Sequence, residues 1–285
     1  MAKNSNLISA RQLQSMIDDP DLRIVDCRFD LADPGAGWRA YRDGHIRGAV
    51  FADLDEDLAA PISRDSGRHP LPEVETFAIT LGRLGVGNST DVVVYDAGNG
   101  AVAARAWWML RWLGHERVRL LDGGFDHWLA VAGPVSTGDA DVPVQRFLPH
   151  PRRETVLTTK ELISDLDRIS DRRLIDARDV ERFLGESEPI DPVAGHIPGS
   201  VNLPFGESLK ADGTWKSRAD LFDLWQSLLG RDENAPWAVM CGSGVTACHL
   251  ALSAMEAGFS EPRLYVGSWS EWIRDPDRPV ALGPA

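Results

Sequence analysis

Short apolar runs alternate with amphipathic stretches along the whole chain. The runs at residues 24–25, 92–95 and 118–121 are rich in β-branched residues, which predicts strands. Residues 103–113 and 219–229 carry apolar side chains at helical spacing. Strands that alternate with helices are typical of α/β proteins, in which a helix connects one strand to a parallel neighbour. The pattern therefore predicts an α/β fold with a mainly parallel sheet that helices cover on both faces.

The pattern occurs twice, because four segments of the first half return in the same order in the second half. The separation between partners ranges only from 144 residues (Leu121 to Tyr265) to 151 residues (Gly44 to Gly195). Repetition in one order at nearly one spacing predicts a duplicated domain. The paired segments are residues 22–28 and 173–178, 44–49 and 195–200, 92–98 and 237–243, and 121–128 and 265–272.

A segment without apolar periodicity separates the two copies. Residues 133–143 and 149–153 are rich in proline, glycine and small polar residues, a composition typical of linkers. We therefore predict a first domain at residues 1–140, a linker at 141–155 and a second domain at 156–285.

Composition narrows the range of partners. The chain has 285 residues, enough for two domains, and a formal net charge of −13. This charge argues against nucleic acid and anionic membranes as partners, because both need a basic surface. No apolar run approaches the roughly 18 residues of a membrane helix, and residues 1–15 lack the pattern of a secretory signal. Three cysteines are too few for a disulfide framework, so we expect a cytoplasmic protein.

The two copies differ at the point where their third shared strand ends. The first copy has Asp96 there, whereas the second copy has Cys241. Gly242 and Gly244 follow this cysteine, just before a predicted helix. A glycine-rich turn lets several backbone N–H groups face inward, and the helix amino terminus adds positive partial charge, so both favour the nucleophilic thiolate. A buried structural cysteine would fit the same turn, but the exchange of aspartate for cysteine favours a reactive thiol.

The segment at residues 241–247 resembles the active loop of the 3-mercaptopyruvate sulfurtransferases, which are relatives of thiosulfate sulfurtransferase (rhodanese). The resemblance implies two tandem rhodanese-like domains, of which the first is inactive and the second carries the nucleophile Cys241. It also implies that Cys241 takes sulfur from a small anionic donor as a persulfide and passes it to cyanide or a thiol, without a cofactor. The other segments similar to signatures of this family are residues 95–97, 121–124, 195–199 and 267–272.

The same resemblance assigns roles to individual residues. Arg182 matches the position that binds the donor's carboxylate or sulfonate, and a guanidinium fork suits either group. Ser243 lies where a hydroxyl could protonate or orient the leaving group, and His45 and Asp33 match a histidine and an aspartate that complete a relay with it. Thr246 could cap the following helix or donate to the sulfur. The other loop residues expected to contact the donor are Gly242, Gly244 and Val245.

The sequence is compatible with two sulfur donors, 3-mercaptopyruvate and thiosulfate. Thiosulfate enzymes usually place basic residues in the active loop, whereas Gly242, Ser243 and Gly244 are neutral, which favours 3-mercaptopyruvate. Many mercaptopyruvate enzymes carry a second arginine beyond the first, whereas this chain has Ile190 and Asp191 there, which weakens that preference. Thiosulfate:cyanide sulfurtransferase activity is therefore the main alternative.

Other functions are less well supported by the sequence. A phosphatase needs an arginine that closes the cysteine loop, and Ala247 occupies that position. A non-catalytic binding module is expected to lack the cysteine, as the first copy does. A metal site formed by Cys241, Cys248 and His249 lacks the ligand spacing of standard zinc sites, so we expect no metal.

Overall fold

Two parallel five-stranded sheets form the framework of the protein, one in each of two units. The computed structural model describes residues 5–164, 174–229 and 236–284. The chain divides into unit 1, which comprises Met1–Ala60, Leu71–Arg152 and Leu209–Trp215, and unit 2, which comprises Pro61–Pro70, Arg153–Ser208 and Lys216–Ala285.

Unit 1 contains one five-stranded sheet and a two-stranded ribbon. Its strands are β1 (Leu7–Ile8), β2 (Leu22–Asp26), β3 (His45–Ile46), β4 (Val50–Phe51), β5 (Asp91–Tyr95), β6 (Val118–Leu121) and β7 (Val135–Ser136). Its helices are α1 (Ala10–Met16), α2 (Ala36–Asp43), α3 (Val74–Arg83), α4 (Ala103–Trp112) and α5 (Gly124–Ala130). The sheet order is β1-β6-β5-β2-β4 with every pair parallel, and β3 pairs antiparallel with β7.

Unit 2 contains a second parallel sheet. Its strands are β8 (Val156–Leu157), β9 (Leu174–Asp176), β10 (Val201–Asn202), β11 (Ala238–Met240) and β12 (Arg263–Tyr265). Its α-helices are α6 (Thr159–Ser164), α7 (Val180–Leu184), α8 (Arg218–Leu229), α9 (Thr246–Ala257) and α10 (Ser268–Trp272). The sheet order is β10-β9-β11-β12-β8, again with every pair parallel.

The two sheets have the same strand order. If β1, β2, β4, β5 and β6 are matched in sequence with β8, β9, β10, β11 and β12, each strand has the same neighbours in its own sheet. Both sheets are parallel because the connections between their strands carry helices that return the chain to the same edge. The predicted fold of two tandem repeats, each a mainly parallel sheet with flanking helices, is therefore confirmed.

A repeated ion pair fixes the end of the second strand in each unit. Asp26 accepts a hydrogen bond of 2.6 Å from Nη2 of Arg28, which also donates to the carbonyl of Gly44 at 2.7 Å. In unit 2, Asp176 and Arg178 make the equivalent contacts, of 2.7 Å to each other and 2.8 Å from Arg178 to the carbonyl of Gly195. Because both charges are buried and hydrogen-bonded, the repeated residues of these segments have a structural role.

Much of the predicted linker runs along unit 1. The N–H of Gln145 donates to the carbonyl of Gly82 at 2.9 Å. The N–H of His150 donates to the carbonyl of Leu113, just after α4, at 2.9 Å, and the N–H of Arg152 donates to the carbonyl of Trp112, the last residue of α4, at 2.8 Å. A short 3₁₀ turn at Arg153–Thr155 then leads into β8. Among the described residues, no helix is both long and apolar enough to span a bilayer.

Candidate active site

Cys241 lies directly after β11, the central strand of the sheet in unit 2. Its Sγ accepts a hydrogen bond from the backbone N–H of Gly244 at 3.1 Å. Helix α9 begins at Thr246, so the loop between strand and helix is short. Cys241 as a whole is 2% exposed, so it is almost completely buried. A cysteine at the carboxyl end of a central parallel strand is in the usual position for ligand binding in α/β folds.

The conformation of this loop requires a glycine at position 244. Gly244 has a φ of +77°, in the left-handed region that other residues rarely adopt. A Cβ on it would lie 2.5 Å from the backbone oxygen of Val266, far closer than van der Waals contact. The sequence therefore places glycine where the backbone N–H must turn toward the sulfur of Cys241.

The segment at the start of α10 holds the cysteine loop in place. The N–H of Cys241 donates to Oγ of Ser268 at 3.1 Å, and the N–H of Trp269 donates to the carbonyl of Cys241 at 3.0 Å. Ser268 adopts a φ of +54°, which is unfavourable for a residue with a side chain and is typical of functional sites. Its hydroxyl also donates to the carbonyl of Tyr265 at 2.9 Å.

The equivalent loop of unit 1 holds a carboxylate instead of a thiol. Asp96 follows β5 and accepts backbone hydrogen bonds from Gly98 and Gly100 at 3.1 Å and 2.9 Å. It accepts two more from Val102 and Ala103 at 3.0 Å and 3.1 Å. Burial raises the pKa of Asp96, and the four amide hydrogen bonds act in the opposite direction. This type of loop therefore presents several N–H groups to a negatively charged side chain.

Ser243 is hydrogen-bonded to a histidine that sequence analysis missed. Its Oγ lies 2.8 Å from Nδ1 of His69, and both residues are buried. Although His69 follows β4 in the chain, it belongs to the segment Pro61–Pro70 of unit 2. A serine hydroxyl bonded to an imidazole can pass a proton in either direction, depending on the tautomer of the histidine.

Two arginines lie against the glycine that follows Cys241. A Cβ on Gly242 would lie 2.9 Å from Nη2 of Arg68 and 3.7 Å from Nη1 of Arg182. Asp191 accepts hydrogen bonds from both guanidinium groups, at 3.0 Å from Nη2 of Arg182. Arg182 also donates through Nε to Glu188 at 2.9 Å.

Burial acts to raise the pKa values of Asp191 and Glu188, whereas the neighbouring arginines act to lower them. Burial raises the pKa of Asp191, and the nearby charge of Arg68 only partly counters this rise. Burial would also raise the pKa of Glu188, but hydrogen bonds from Arg182 and from two backbone N–H groups outweigh it and lower the pKa. Glu188 is therefore the more firmly ionised partner of Arg182.

His45 and Asp33 make contacts within unit 1. The Nδ1–H of buried His45 donates to the carbonyl of Tyr41 at 2.8 Å, and its ring stacks on the ring of Tyr41. In unit 2, His196 makes the matching bond of 2.8 Å to the carbonyl of Phe183. Asp33 forms an exposed ion pair with Arg39. The relay role of His45 and Asp33 stays a prediction, while the bond to Ser243 in the structure comes from His69.

The loop residues Val245 and Thr246 lie at the start of α9. Val245 is the N-cap of this helix and makes no capping bond through its side chain, and Thr246 is the first helical residue. The suggestion that Thr246 caps the helix is therefore wrong, because the cap position falls one residue earlier. Contact of either residue with a donor stays a prediction.

Arg68 and His69 could not be found from periodicity. They lie in residues 61–70, which form neither helix nor strand and include five serine, glycine or proline residues. The only signal was an arginine and a histidine side by side in a segment with no apolar pattern. In the part of the chain that the structure describes, no group of three or more histidine, cysteine and acidic side chains could hold a metal ion.

A pair of matching parallel α/β units, with a cysteine loop after the central strand of one of them, defines the architecture of a tandem rhodanese-type protein. The family described as Rhodanese-like domain matches the chain at residues 9–131 and 158–275. The chain therefore belongs to the family of rhodanese-like domain proteins. The resemblance noted in the sequence is confirmed.

Relatives of known class cover almost the whole chain. It is 44% identical over 282 residues to "Probable 3-mercaptopyruvate sulfurtransferase" of Pseudomonas aeruginosa, a match that covers 98% of this chain and 99% of the relative. It is 35% identical over 285 residues to thiosulfate sulfurtransferase of Rattus norvegicus, which covers 96% and 93%. The crystal structure of SseA from Escherichia coli, described with the 3-mercaptopyruvate sulfotransferases, matches with a TM-score of 0.81 and 34% identity, covering 94% of this chain and all of that chain. These relatives confirm the predicted enzyme class, sulfurtransferase.

Proposed function

We propose that the protein transfers sulfur from 3-mercaptopyruvate to a thiol or to cyanide, with Cys241 as the carrier. The Cys241 thiolate attacks the donor sulfur, the carbon–sulfur bond breaks, and its electron pair leaves with the pyruvate fragment as an enolate. The acceptor then attacks the outer sulfur of the Cys241 persulfide. The sulfur–sulfur bond breaks, its electron pair returns to Cys241, and the thiolate is restored.

The observation that carries this proposal is the loop around Cys241. Its Sγ accepts the N–H of Gly244, and a hydrogen bond to an ionised sulfur is stronger than one to a neutral thiol. The equivalent loop of unit 1 gives four N–H bonds to the carboxylate of Asp96. A loop of this kind suits a thiolate and also a persulfide, whose outer sulfur is negatively charged.

The proton balance of the reaction favours 3-mercaptopyruvate over thiosulfate. Removal of sulfur from mercaptopyruvate moves one proton from the donor sulfur to the methylene carbon of the departing enolate. Removal of sulfur from thiosulfate breaks a sulfur–sulfur bond and releases sulfite, with no proton transferred. The hydrogen bond of 2.8 Å between Ser243 and His69 provides a route for a proton, which only the first reaction needs.

Thiosulfate is the second candidate donor, because Arg182 could bind it as well as mercaptopyruvate. Its guanidinium group suits the sulfonate of thiosulfate as well as the carboxylate of mercaptopyruvate. Relatives of this chain carry the names of both enzymes. The neutral loop residues and the proton route through Ser243 favour mercaptopyruvate.

The proposal is tested by incubating the protein with each donor in the absence of an acceptor and measuring its intact mass. We expect an added mass of one sulfur atom on Cys241, which cyanide removes as thiocyanate. The ratio of kcat/KM for mercaptopyruvate and thiosulfate, with cyanide as acceptor, then identifies the preferred donor. If neither donor adds sulfur to Cys241, the proposed function is wrong.

Alanine at His69 or Ser243 should affect the two donors differently. We expect His69→Ala and Ser243→Ala each to lower kcat with mercaptopyruvate by about 10²- to 10⁴-fold, the range of general acid–base catalysis. Turnover of thiosulfate should stay close to that of the unmodified protein, because no proton is transferred. The double variant should be no slower than the slower single variant, because the two residues act as one unit.

Thiosulfate serves as the internal control in this experiment, since both donors use the same cysteine loop. An equal loss with both donors would show that His69 and Ser243 support the loop without moving a proton. A full additive loss in the double variant would separate their roles.

A further inference from the structure

We infer that Arg68 is a second donor-binding residue, which acts together with Arg182 to hold the oxyanion of the sulfur donor beside Gly242. This inference rests on the proposed function and adds a residue to its binding site. In this inference Arg68 supplies the second guanidinium group that the sequence lacks at Ile190 and Asp191.

The first support is geometric. One point, the position of a Cβ on Gly242, lies 2.9 Å from Nη2 of Arg68 and 3.5 Å and 3.7 Å from the two terminal nitrogens of Arg182. Gly242 has no side chain to fill this space, and it directly follows the nucleophile Cys241. Two guanidinium groups therefore line the same space, one residue from the reacting sulfur.

The second support is the way in which the hydrogen-bond donors are used. Arg182 binds Glu188 and Asp191 through Nε and Nη2, and Arg68 binds Asp191 through Nη1. Among the described residues, Nη2 of Arg68 and Nη1 of Arg182 take part in none of these bonds. Both of these nitrogens lie next to Gly242, so their N–H groups are available to a ligand there.

The third support is the strength with which Arg68 is held. Its backbone N–H donates to Oγ of Ser270 at 3.1 Å, and Ser270 lies in α10, which also fixes the cysteine loop. Its side chain is 21% exposed and Asp191 is 3% exposed, so the ion pair between them is largely shielded from water. The buried Nε of Arg68 has no partner among the described residues. An arginine fixed in this way is oriented for a ligand instead of free in solvent.

The charges around the site show how an anion would be bound. Three arginines (Arg68, Arg178 and Arg182) are paired with three carboxylates (Asp176, Glu188 and Asp191). The cluster is formally neutral, so it attracts the donor through directed N–H groups and not through excess charge. Two guanidinium groups repel each other unless an anion lies between them, and Asp191 fills this role on one side. A carboxylate or sulfonate beside Gly242 fills it on the other side.

The test uses two alkylating agents that differ only in charge. Iodoacetate and iodoacetamide both alkylate the Cys241 thiolate with loss of iodide, but only iodoacetate carries a carboxylate. The rate of alkylation at Cys241, measured by peptide mass, is compared for the two reagents in each variant. We expect Arg68→Met and Arg182→Met each to lower the iodoacetate-to-iodoacetamide rate ratio by about tenfold or more, the effect of losing a charge-assisted hydrogen bond.

Two further variants and one control complete the design. Arg68→Lys keeps the charge but not the fork and should lower the ratio by a smaller factor. Gly242→Ala places a methyl group in the proposed binding space and should also lower it, which keeps the test valid if Arg68→Met does not fold. Arg117→Met removes an exposed arginine of unit 1 that is paired with Asp91, and should leave the ratio unchanged.

The outcome separates this inference from the proposed function. Alkylation does not require sulfur transfer, so the ratio reports on Arg68 even if no persulfide forms. If the ratio in Arg68→Met equals that of the unmodified protein, Arg68 does not bind the anion and the inference is overturned. With both donors as substrates, a rise in KM for both supports a general oxyanion site, and a rise for mercaptopyruvate alone supports a carboxylate site.

Discussion

Serine in place of Cys241 is expected to abolish sulfur transfer from mercaptopyruvate and from thiosulfate. A serine hydroxyl is not ionised at neutral pH and cannot carry a transferable sulfur. We therefore expect kcat of Cys241→Ser to fall by at least about 10³-fold with either donor, as for loss of a catalytic nucleophile. The measurement is steady-state formation of thiocyanate, together with intact mass to show that no sulfur is added.

Cys248→Ser is the matched control for this prediction. Cys248 lies in α9, is fully buried, and its Sγ donates to the carbonyl of Gly244 at 3.3 Å. Serine has a similar size and can make the same bond, so this variant should keep most of the activity. Equal losses in the two variants would mean that the nucleophile has been misassigned.

Cys27 is not expected to replace Cys241 in the variant protein. It is fully buried, and burial together with the nearby charge of Asp26 raises its pKa well above the usual value for a thiol. This thiol stays protonated at neutral pH, and the protonated form is a poor nucleophile. Residual activity of Cys241→Ser should therefore not increase when Cys27 is also replaced.

The fold could be predicted because its signals are local and occur twice. The apolar run at residues 92–95 became strand β5, and residues 103–113 became helix α4, since a short β-branched run and a helical period each need only neighbouring residues. The duplication makes β5 and β11 equivalent, and the difference between Asp96 and Cys241 after these strands identifies the candidate nucleophile. The antiparallel pair of β3 and β7 was not predicted, because each of these strands has only two residues.

The site could be predicted only in part, because two of its polar groups, Arg68 and His69, come from a distant segment. One short loop contains Cys241, Ser243 and Gly244, so the sequence shows these residues together. Sequence separations of 174 and 123 residues divide His69 from its partner Ser243 and Arg68 from its partner Asp191. Contacts over such separations depend on the tertiary structure and leave no periodic pattern in the sequence.

The contacts of Asp191 add to what the sequence shows at this departure from the family pattern. In the sequence, Ile190 and Asp191 stand where a second arginine is expected, which weakens the preference for 3-mercaptopyruvate over thiosulfate. In the structure, Asp191 binds Arg182 and Arg68 at the same time, so the acidic residue and the arginine at position 68 belong to one arrangement.

Alanine at Gly244 is expected to slow the formation of the Cys241 persulfide. Its Cβ would lie 2.5 Å from the carbonyl oxygen of Val266, a backbone atom that cannot move aside easily, and its φ is +77°. The loop must shift, which removes the N–H bond to Sγ of Cys241. We expect persulfide formation to slow by about 10²- to 10³-fold, as when one donor of an oxyanion-binding site is removed.

Gly283→Ala isolates the cost of the left-handed backbone from the loss of the amide donor. Gly283 has a similar φ of +81° in the same unit, but nothing lies within 4 Å of the position of its Cβ. This variant should lose about 1–2 kcal/mol of stability from backbone strain and keep its rate of persulfide formation. The rate is followed by intact mass after rapid mixing with donor, and the free energy of unfolding by urea titration. If Gly244→Ala loses stability but forms the persulfide as fast as Gly283→Ala, the amide of residue 244 does not stabilise the sulfur anion, because the strain is then present without the chemical effect.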